Sequence, residues 1–238
     1  MSATSRHRSK VKALLLLGAS LPALFFLQVN TWAGTSQSDS EKTQSAISLS
    51  AEERQAVEKR EVIVREQPTQ GKPGKAFEAV AIIKAKPELI RDMVQDYASY
   101  PEFMPNVSRI EILEQEEHTA LINQYLALPL GKSKKYRIKL ESSEPDAHTI
   151  LIQWQLQPWP ELKPEETIQD TSGFWRIEEL DAGRSLVLYH VSTDPGKIPF
   201  GLGWIVDYLS KDSVPEILTK TRERAEKKAS ALLKGQEK

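Results

Sequence analysis

Few side chains in this sequence could bind a metal ion or transfer a proton. The histidines are His7, His118, His148 and His190, cysteine is absent, and no two histidines have the H-x-x-x-H spacing of a metal-binding helix. We therefore expect no dedicated metal site. His190 lies between two apolar residues, where it could orient a ligand hydroxyl or carbonyl, or act as a weak acid or base. The alternative is a buried structural histidine whose ring is satisfied by a neighbouring group.

Patterns typical of nucleotide binding or covalent catalysis are incomplete. Gly131-Lys132-Ser133 ends like a phosphate-binding loop, but Leu126 stands where the first glycine of that motif is required. Gly201-Leu202-Gly203 is followed by Val206 at the third glycine position of a dinucleotide-binding turn. The Gly-x-Ser-x-Gly elbow of the hydrolases does not occur. The sequence therefore predicts no cofactor, and it favours a binding protein over an enzyme.

Large aromatic side chains are the better candidates for a site. Phe103, Met104 and Phe200 fall in predicted loops, where apolar side chains need a reason, and we interpret them as a gate over a pocket. Core packing uses the same residue types as a pocket lining, so the sequence leaves that alternative open. The predicted ligand-binding residues are Phe103, Met104, Trp154, Trp175, His190, Phe200, Trp204, Tyr208 and Leu218.

Five basic residues form a cluster in the middle of the chain, namely Lys132, Lys134, Lys135, Arg137 and Lys139. Each could contribute about 1 kcal/mol at an anionic membrane surface. The alternative is a solvated sheet edge, because Tyr136, Ile138 and Leu140 alternate with the charges. Transient contact with a membrane surface is therefore one hypothesis for this cluster.

The first 33 residues have the three parts of a secretory signal peptide. Four basic residues precede the apolar run Ala13 to Val29, and Thr31-Trp32-Ala33 offers small residues for a signal peptidase. The run is short for a bilayer span, although an uncleaved anchor is the alternative. We therefore expect a bacterial protein that is periplasmic or secreted. Removing residues 1–33 changes the net charge from −1 to −5, which disfavours nucleic-acid binding.

The remaining chain divides into a linker and one domain. Residues 34–50 are polar and are expected to form a flexible linker, while residues 51–234 form the folded domain. Ser50 and Glu53 have the spacing of a capping box for a short helix. A predicted hairpin between residues 61 and 83 precedes an amphipathic helix that begins at Pro87 and stops at 99–101.

Five or six strands are predicted next, at about 107–117, 119–128, 134–142, 148–157, 171–180 and 184–194, joined by turn signals. Consecutive strands with tight turns indicate an antiparallel meander. A last helix carries a stripe that includes Val214, Leu218, Ala225 and Leu232. The fold class is therefore α+β: a curved antiparallel sheet of about six to eight strands around a long C-terminal helix, with a short helical segment after the first strands.

Three segments resemble START-like proteins of the polyketide cyclase, coenzyme Q-binding and lipid-transport type. Asp96 to Pro105 resembles the end of that family's first helix. Gly173-Phe174-Trp175-Arg176-Ile177 resembles a late strand. Asp194-Pro195-Gly196, together with Lys211 to Pro215, is similar to the entry into the last helix. The resemblance implies a helix-grip fold with an apolar pocket between sheet and C-terminal helix. It says more about a pocket than about a reaction.

The favoured function is binding, and possible transport, of a hydrophobic small molecule such as a lipid or quinone by a monomeric protein. One alternative is an enzyme of the cyclase or dehydratase kind that uses His190 in the same pocket. Another is a non-catalytic interaction module whose core is filled by its own side chains. The expectation that separates them is an unfilled cavity beside the C-terminal helix. Across it, Trp204, Tyr208 and Leu218 are predicted to face Trp154 and Trp175.

Overall fold

The structure is a computed structural model that describes residues 46–69, 71–196 and 211–236. These residues fall within one unit, Gln37–Lys238. The predicted signal peptide and three predicted site residues, Phe200, Trp204 and Tyr208, lie outside the described residues. No helix among the described residues is long and apolar enough to cross a membrane.

The described elements follow the predicted order of hairpin, helix, meander and C-terminal helix. They are α1 (Ala51–Glu58), β1 (Ile63–Gln67), β2 (Lys75–Ile83), α2 (Pro87–Val94), a 3-10 turn (Tyr97–Ser99), α3 (Tyr100–Phe103), β3 (Val107–Gln115), β4 (Thr119–Leu128), a 3-10 turn (Pro129–Gly131), β5 (Lys132–Asp146), β6 (Thr149–Gln157), β7 (Asp170–Asp181), β8 (Arg184–Asp194) and α4 (Ser213–Gln236). The amphipathic helix ends earlier than predicted, and a second short helix follows at Tyr100.

All eight strands form one antiparallel sheet in the order β1-β2-β8-β7-β6-β5-β4-β3. The meander β3 to β8 therefore joins the N-terminal hairpin through β2 and β8, whose register runs from Lys75 opposite Thr193 to Ile83 opposite Ser185. The predicted α+β architecture of a curved antiparallel sheet with a long C-terminal helix is confirmed.

The main core lies between the concave face of the sheet and helix α4. Alternation along β6 sends Ile150, Ile152 and Trp154 into this core, as the strand periodicity predicted. Helix α4 contributes Leu218 and Ala225, both fully buried. The predicted helix stripe is too long, because Leu232 is 54% exposed near the end of α4.

A smaller apolar cluster occupies the opposite, convex face of the sheet. It contains Val80, Leu151, Phe174 and Leu188, and Ile47 and Leu49 pack against it. The backbone N–H of Ile47 also donates to Oε1 of Glu178 at 3.0 Å. Residues 46–50 were predicted as the end of a linker, but they pack on the sheet and lead into α1. The predicted capping box of Ser50 and Glu53 is present at that helix.

Candidate ligand-binding cavity

A cavity of about 160 Å³ lies between the concave face of the sheet and the first turns of α4. An apolar cavity of roughly 150 Å³ is large enough to bind benzene, whereas pockets for drug-sized ligands begin near 300 Å³. The described lining residues are Lys75, Phe77, Tyr100, Met104, Pro105, Asn106, Val107, Gln124, Leu126, Tyr136, Ile138, Leu140, Trp154, Ile168, Thr171, Trp175, Tyr189, Val191, Thr193, Pro195, Ser213, Val214 and Ile217. The cavity therefore has room for one ring or a short carbon chain, and a larger ligand would extend through its open mouth.

The cavity sits at one end of the sheet because the lining residues share a position along their strands. Lys75 begins β2, Thr171 lies near the start of β7, and Thr193 lies near the end of β8. Leu126 near the end of β4 marks the same end, where the β4–β5 turn is located. The connections β1–β2, β4–β5 and β6–β7 therefore surround the mouth of the cavity.

Three aromatic rings on neighbouring strands form one wall of the cavity. Trp154 of β6 stacks on Tyr189 of β8 with ring centroids 5.5 Å apart and planes 22° apart. Trp175 of β7 lies 4.6 Å from the same tyrosine ring, tilted by 51°. Both tryptophans were predicted ligand-binding residues, and the structure places both at the cavity. Their role in binding a ligand stays a prediction.

Gly173 makes the stack of Trp154 on Tyr189 possible. It lies opposite Trp154 in the β6–β7 register and opposite Val191, two residues from Tyr189, in the β7–β8 register. A Cβ atom at this position would lie 2.2 Å from Cζ2 of Trp154 and 2.2 Å from the backbone oxygen of His190. Only glycine leaves room for the indole ring to cross β7.

Helix α4 closes the cavity with Ser213, Val214 and Ile217 of its first turns. Leu218 was predicted to face the tryptophans, but it is not among the lining residues and is fully buried in the main core. Leu218 lies four residues after Val214 on the same side of the helix, so it is about one turn, or 5.4 Å, farther along the axis, where it packs in the main core. The structure thus places Leu218 on the helix that closes the cavity but outside the lining, and its role in binding a ligand stays a prediction.

The loop after α3 supplies a further part of the mouth. Of the two predicted gate residues in this region, Met104 lines the cavity and Phe103 does not, and the role of each in binding a ligand stays a prediction. The ring of Phe103 instead packs against Tyr100, and the guanidinium of Arg224 lies 4.9 Å from its centroid. Asn106 has a positive φ of 63° and donates from Nδ2 to Oγ of Ser213 at 3.0 Å. This bond ties the loop to the start of α4.

His190 lies on the convex face, away from the cavity. Its neighbours Tyr189 and Val191 line the cavity, and alternation along β8 turns His190 to the other side. The imidazole is 3% exposed, stacks on Phe174 at 5.0 Å, and places Nδ1 3.4 Å from Oε1 of Glu78. The structure therefore separates the candidate acid or base from the cavity and places it as a buried histidine beside a carboxylate.

Most of the predicted basic cluster is paired within the protein. Lys134 donates to the carbonyl of Thr167 at 2.5 Å, Lys135 lies 3.4 Å from Glu166, and Lys139 lies 2.7 Å from Glu141. Arg137 donates to Oδ1 of Asn123 at 2.9 Å, and its guanidinium lies 5.0 Å from the ring of Trp159. The cluster is thus not one free basic patch, and Lys132 at the β4–β5 turn is its exposed member beside the mouth.

Burial controls the ionisation of four tyrosines in or beside the main core. It raises the pKa of Tyr97 to about 12. It also raises the pKa of Tyr100, Tyr136 and Tyr189 above the ordinary value. All four hydroxyls are therefore neutral at physiological pH.

We expect alkaline solution to unfold the protein through these tyrosines. Their proton is held more tightly in the folded chain, so the stabilisation is complete below the unfolded pKa of about 10 and is lost as the pH rises above it. For Tyr97 the loss extends through its folded pKa of about 12. Ultraviolet absorbance and circular dichroism, recorded in one titration, should show tyrosine ionisation and unfolding together. Ionisation of every tyrosine near pH 10 with an intact spectrum would contradict this.

Sequence reasoning missed several lining residues, above all Tyr136, Tyr189 and Ile217. Alternation of Tyr136 with Arg137 and Ile138 did place the tyrosine on an apolar face, but nothing in the sequence separated a cavity from solid core. Gly173 and Asn106 were also overlooked as structural determinants, because their effect depends on neighbours brought together by the sheet.

Comparison with known proteins identifies the type of chain that carries this cavity. A family model described as polyketide cyclase / dehydrase and lipid transport matches residues 83–207. No curated protein matches the chain.

Several solved structures have a similar fold. One is a STAR-related lipid transfer protein from Xanthomonas axonopodis, with 19% identity, a TM-score of 0.60, and coverage of 69% of this chain and 93% of that chain. Human STARD10 is 15% identical, with a TM-score of 0.60 and coverage of 73% of this chain and 72% of that chain. Human StAR-related lipid transfer protein 5 is 17% identical, with a TM-score of 0.59 and coverage of 71% of this chain and 83% of that chain. At these identities the likeness shows the shared fold.

Proposed function

The chain belongs to the polyketide cyclase/dehydrase and lipid transport family, and from this premise we propose that it binds a hydrophobic small molecule in the cavity beneath α4. The family and the START-like helix-grip fold fit such a ligand. The observation that carries the proposal is the cavity itself, walled by Trp154, Trp175 and Tyr189. Enclosing apolar groups there contributes about 0.8 kcal/mol for each methylene removed from water.

The sequence left two alternatives open, an enzyme that uses His190 and an interaction module with a filled core. An enzyme that used His190 in the pocket would need that side chain on the concave face, and it lies on the convex face. A module with a filled core would need the described side chains to occupy the space beneath α4, where about 160 Å³ is open. Binding is therefore the function that the geometry favours.

We expect a space-filling change to abolish binding selectively. The neutral dye N-phenyl-1-naphthylamine should bind the wild-type protein saturably at one site, with an increase in fluorescence. Ile217→Trp should weaken this binding by about tenfold or more, about 1.4 kcal/mol, because the indole would occupy the cavity that Ile217 lines. Lys220→Trp, at an exposed position of the same helix, is the matched control and should bind like wild type.

Equal affinity of Ile217→Trp and wild type would contradict binding in this cavity. Absence of saturable binding to the wild type would contradict the proposal as a whole. Thermal unfolding of both variants establishes that they are folded at the temperature of the titration.

We further propose that a carrier of this kind meets an anionic membrane through the β4–β5 turn at the mouth. Leu130 at its tip is 72% exposed and has a φ of 60°, a conformation that costs a leucine energy. The exposed Lys132 follows two residues later, where it can contact lipid phosphates. An apolar tip flanked by a base combines the two attractions that hold a protein at such a surface.

Export to the periplasm and the monomeric state stay predictions. Export depends on residues 1–33, which lie outside the described residues.

A further inference from the structure

Two tyrosine hydroxyls at the cavity lack hydrogen-bond partners among the described residues. Tyr136 of β5 and Tyr189 of β8 both line the cavity, and neither hydroxyl bonds to another described group. Two tyrosines outside this pair differ, since the hydroxyl of Tyr100 donates to the carbonyl of Val94 at 2.5 Å and that of Tyr125 to Glu111 at 3.0 Å. The two hydroxyls are not sealed in the core, because the one buried side-chain nitrogen or oxygen without a partner among the described residues is Nδ1 of His190. They are therefore open to the cavity, where a ligand atom can take up their hydrogen bonds.

The side chains of Tyr136 and Tyr189 lie near each other in the cavity lining. They are close enough for Tyr136 to contribute to the raised pKa of Tyr189, although burial is the main cause. Each keeps its proton at neutral pH and can both donate and accept a hydrogen bond. Gln124, opposite Tyr136 in the β4–β5 register, adds a neutral amide to the same lining.

Charge is nearly absent from the described lining. Among the described lining residues, only Lys75 carries a charged side chain, and it lies at the first residue of β2. Its side chain already interacts with another group of the protein. A carboxylate or phosphate placed against Trp154 and Trp175 would be desolvated with little compensation. The part of a ligand that enters beside the aromatic wall is therefore neutral.

We infer that the cavity selects ligands whose enclosed part is uncharged and carries a hydroxyl or carbonyl oxygen, which the hydroxyls of Tyr136 and Tyr189 bind. This inference rests on the proposed function, because it names the chemical class of the ligand bound there. A phenol, an alcohol or a ring ketone satisfies it, whereas a plain hydrocarbon leaves both hydroxyls unpaired. Both tyrosines act as binding residues that distinguish among ligands of similar shape.

Phenol and toluene are suitable probes because they match in shape and differ in one hydroxyl. Their affinities for wild type, Tyr136→Phe, Tyr189→Phe and the double variant can be measured by ligand-observed nuclear magnetic resonance. Each single change should weaken phenol by roughly two- to tenfold, the usual effect of one neutral hydrogen bond. Toluene should bind unchanged or more tightly. Tyr125→Phe, which lies outside the cavity lining, is the matched control and should alter neither affinity.

The outcomes separate the inference from the proposed function. If the tyrosine changes affect phenol and toluene equally, or affect neither, the inference is overturned while the cavity remains a binding site. If benzoate binds more tightly than phenol, the selection for a neutral group is overturned. If phenol, toluene and N-phenyl-1-naphthylamine all fail to bind the wild type, the proposed function falls as well. Phenylalanine keeps the ring and its packing, so the folded state of each variant is checked by its melting temperature.

Discussion

Replacement of Gly173 by alanine should lower the free energy of unfolding by about 3 kcal/mol, at the upper end of overpacking costs. The added Cβ would meet two neighbours at 2.2 Å, Cζ2 of Trp154 and the backbone oxygen of His190. The oxygen belongs to β8 in the middle of the sheet, so it cannot move without disturbing the strand pairing. The indole can move only into the cavity or out of its stack on Tyr189.

Urea unfolding measures this change directly. Gly183→Ala is the matched control, because a Cβ there meets nothing within 4 Å, and its stability should stay within about 0.5 kcal/mol of wild type. The variant Gly173→Ala should also lose affinity for N-phenyl-1-naphthylamine, since Trp154 lines the cavity. A Gly173→Ala protein as stable as Gly183→Ala would show that the sheet relaxes around the new methyl group.

Much of the fold was predictable because its strands are consecutive and its turns are marked. The alternation of Ile150, Ile152 and Trp154 with glutamines is enough to identify β6 and its inner face from the sequence. Strand β4 has the predicted limits, while β5 continues from Lys132 to Asp146, beyond the predicted 134–142. The extra residues are polar and charged, and they are held by pairing with β4 and β6, which a local pattern does not reveal.

The inner face of β8 was not predictable in the same way. Alternation identifies a buried face only where the other face is polar, yet β7 and β8 have buried residues on both sides. Phe174 and Leu188 form the convex cluster, while Trp175 and Tyr189 face the core. His190 therefore looked like an inward residue because its neighbours are apolar, and these neighbours are the residues that point inward.

The ion pairs and hydrogen bonds of the basic cluster were also not predictable from the segment 132–139 alone, because their partners lie elsewhere in the chain. The partners of Lys134 and Lys135 are Thr167 and Glu166, in the loop between β6 and β7. That loop reaches β5 because β6 lies between β5 and β7, and because β6 ends at the end of the sheet where β5 begins. A run of charges in the sequence thus overstated the free positive charge near the mouth.

Leu130→Asn should separate membrane binding from stability, because its two effects have opposite signs. Asparagine adopts positive φ more readily than leucine, so the turn should become more stable by up to about 1 kcal/mol. Loss of the leucine side chain removes roughly 1.5–3 kcal/mol of apolar burial at a membrane, about 10- to 100-fold in affinity.

Sedimentation with vesicles containing phosphatidylglycerol measures the affinity, and urea unfolding measures the stability. Leu180→Asn is the matched control, since Leu180 is also partly exposed, at 42%, but lies beside the β7–β8 turn at the opposite end of the sheet. Lys132→Ala should weaken binding by about 1 kcal/mol, with an effect that shrinks as salt is added. If Leu130→Asn binds vesicles as tightly as Leu180→Asn does, the β4–β5 turn is not the membrane contact, and the exposed strained leucine requires another partner.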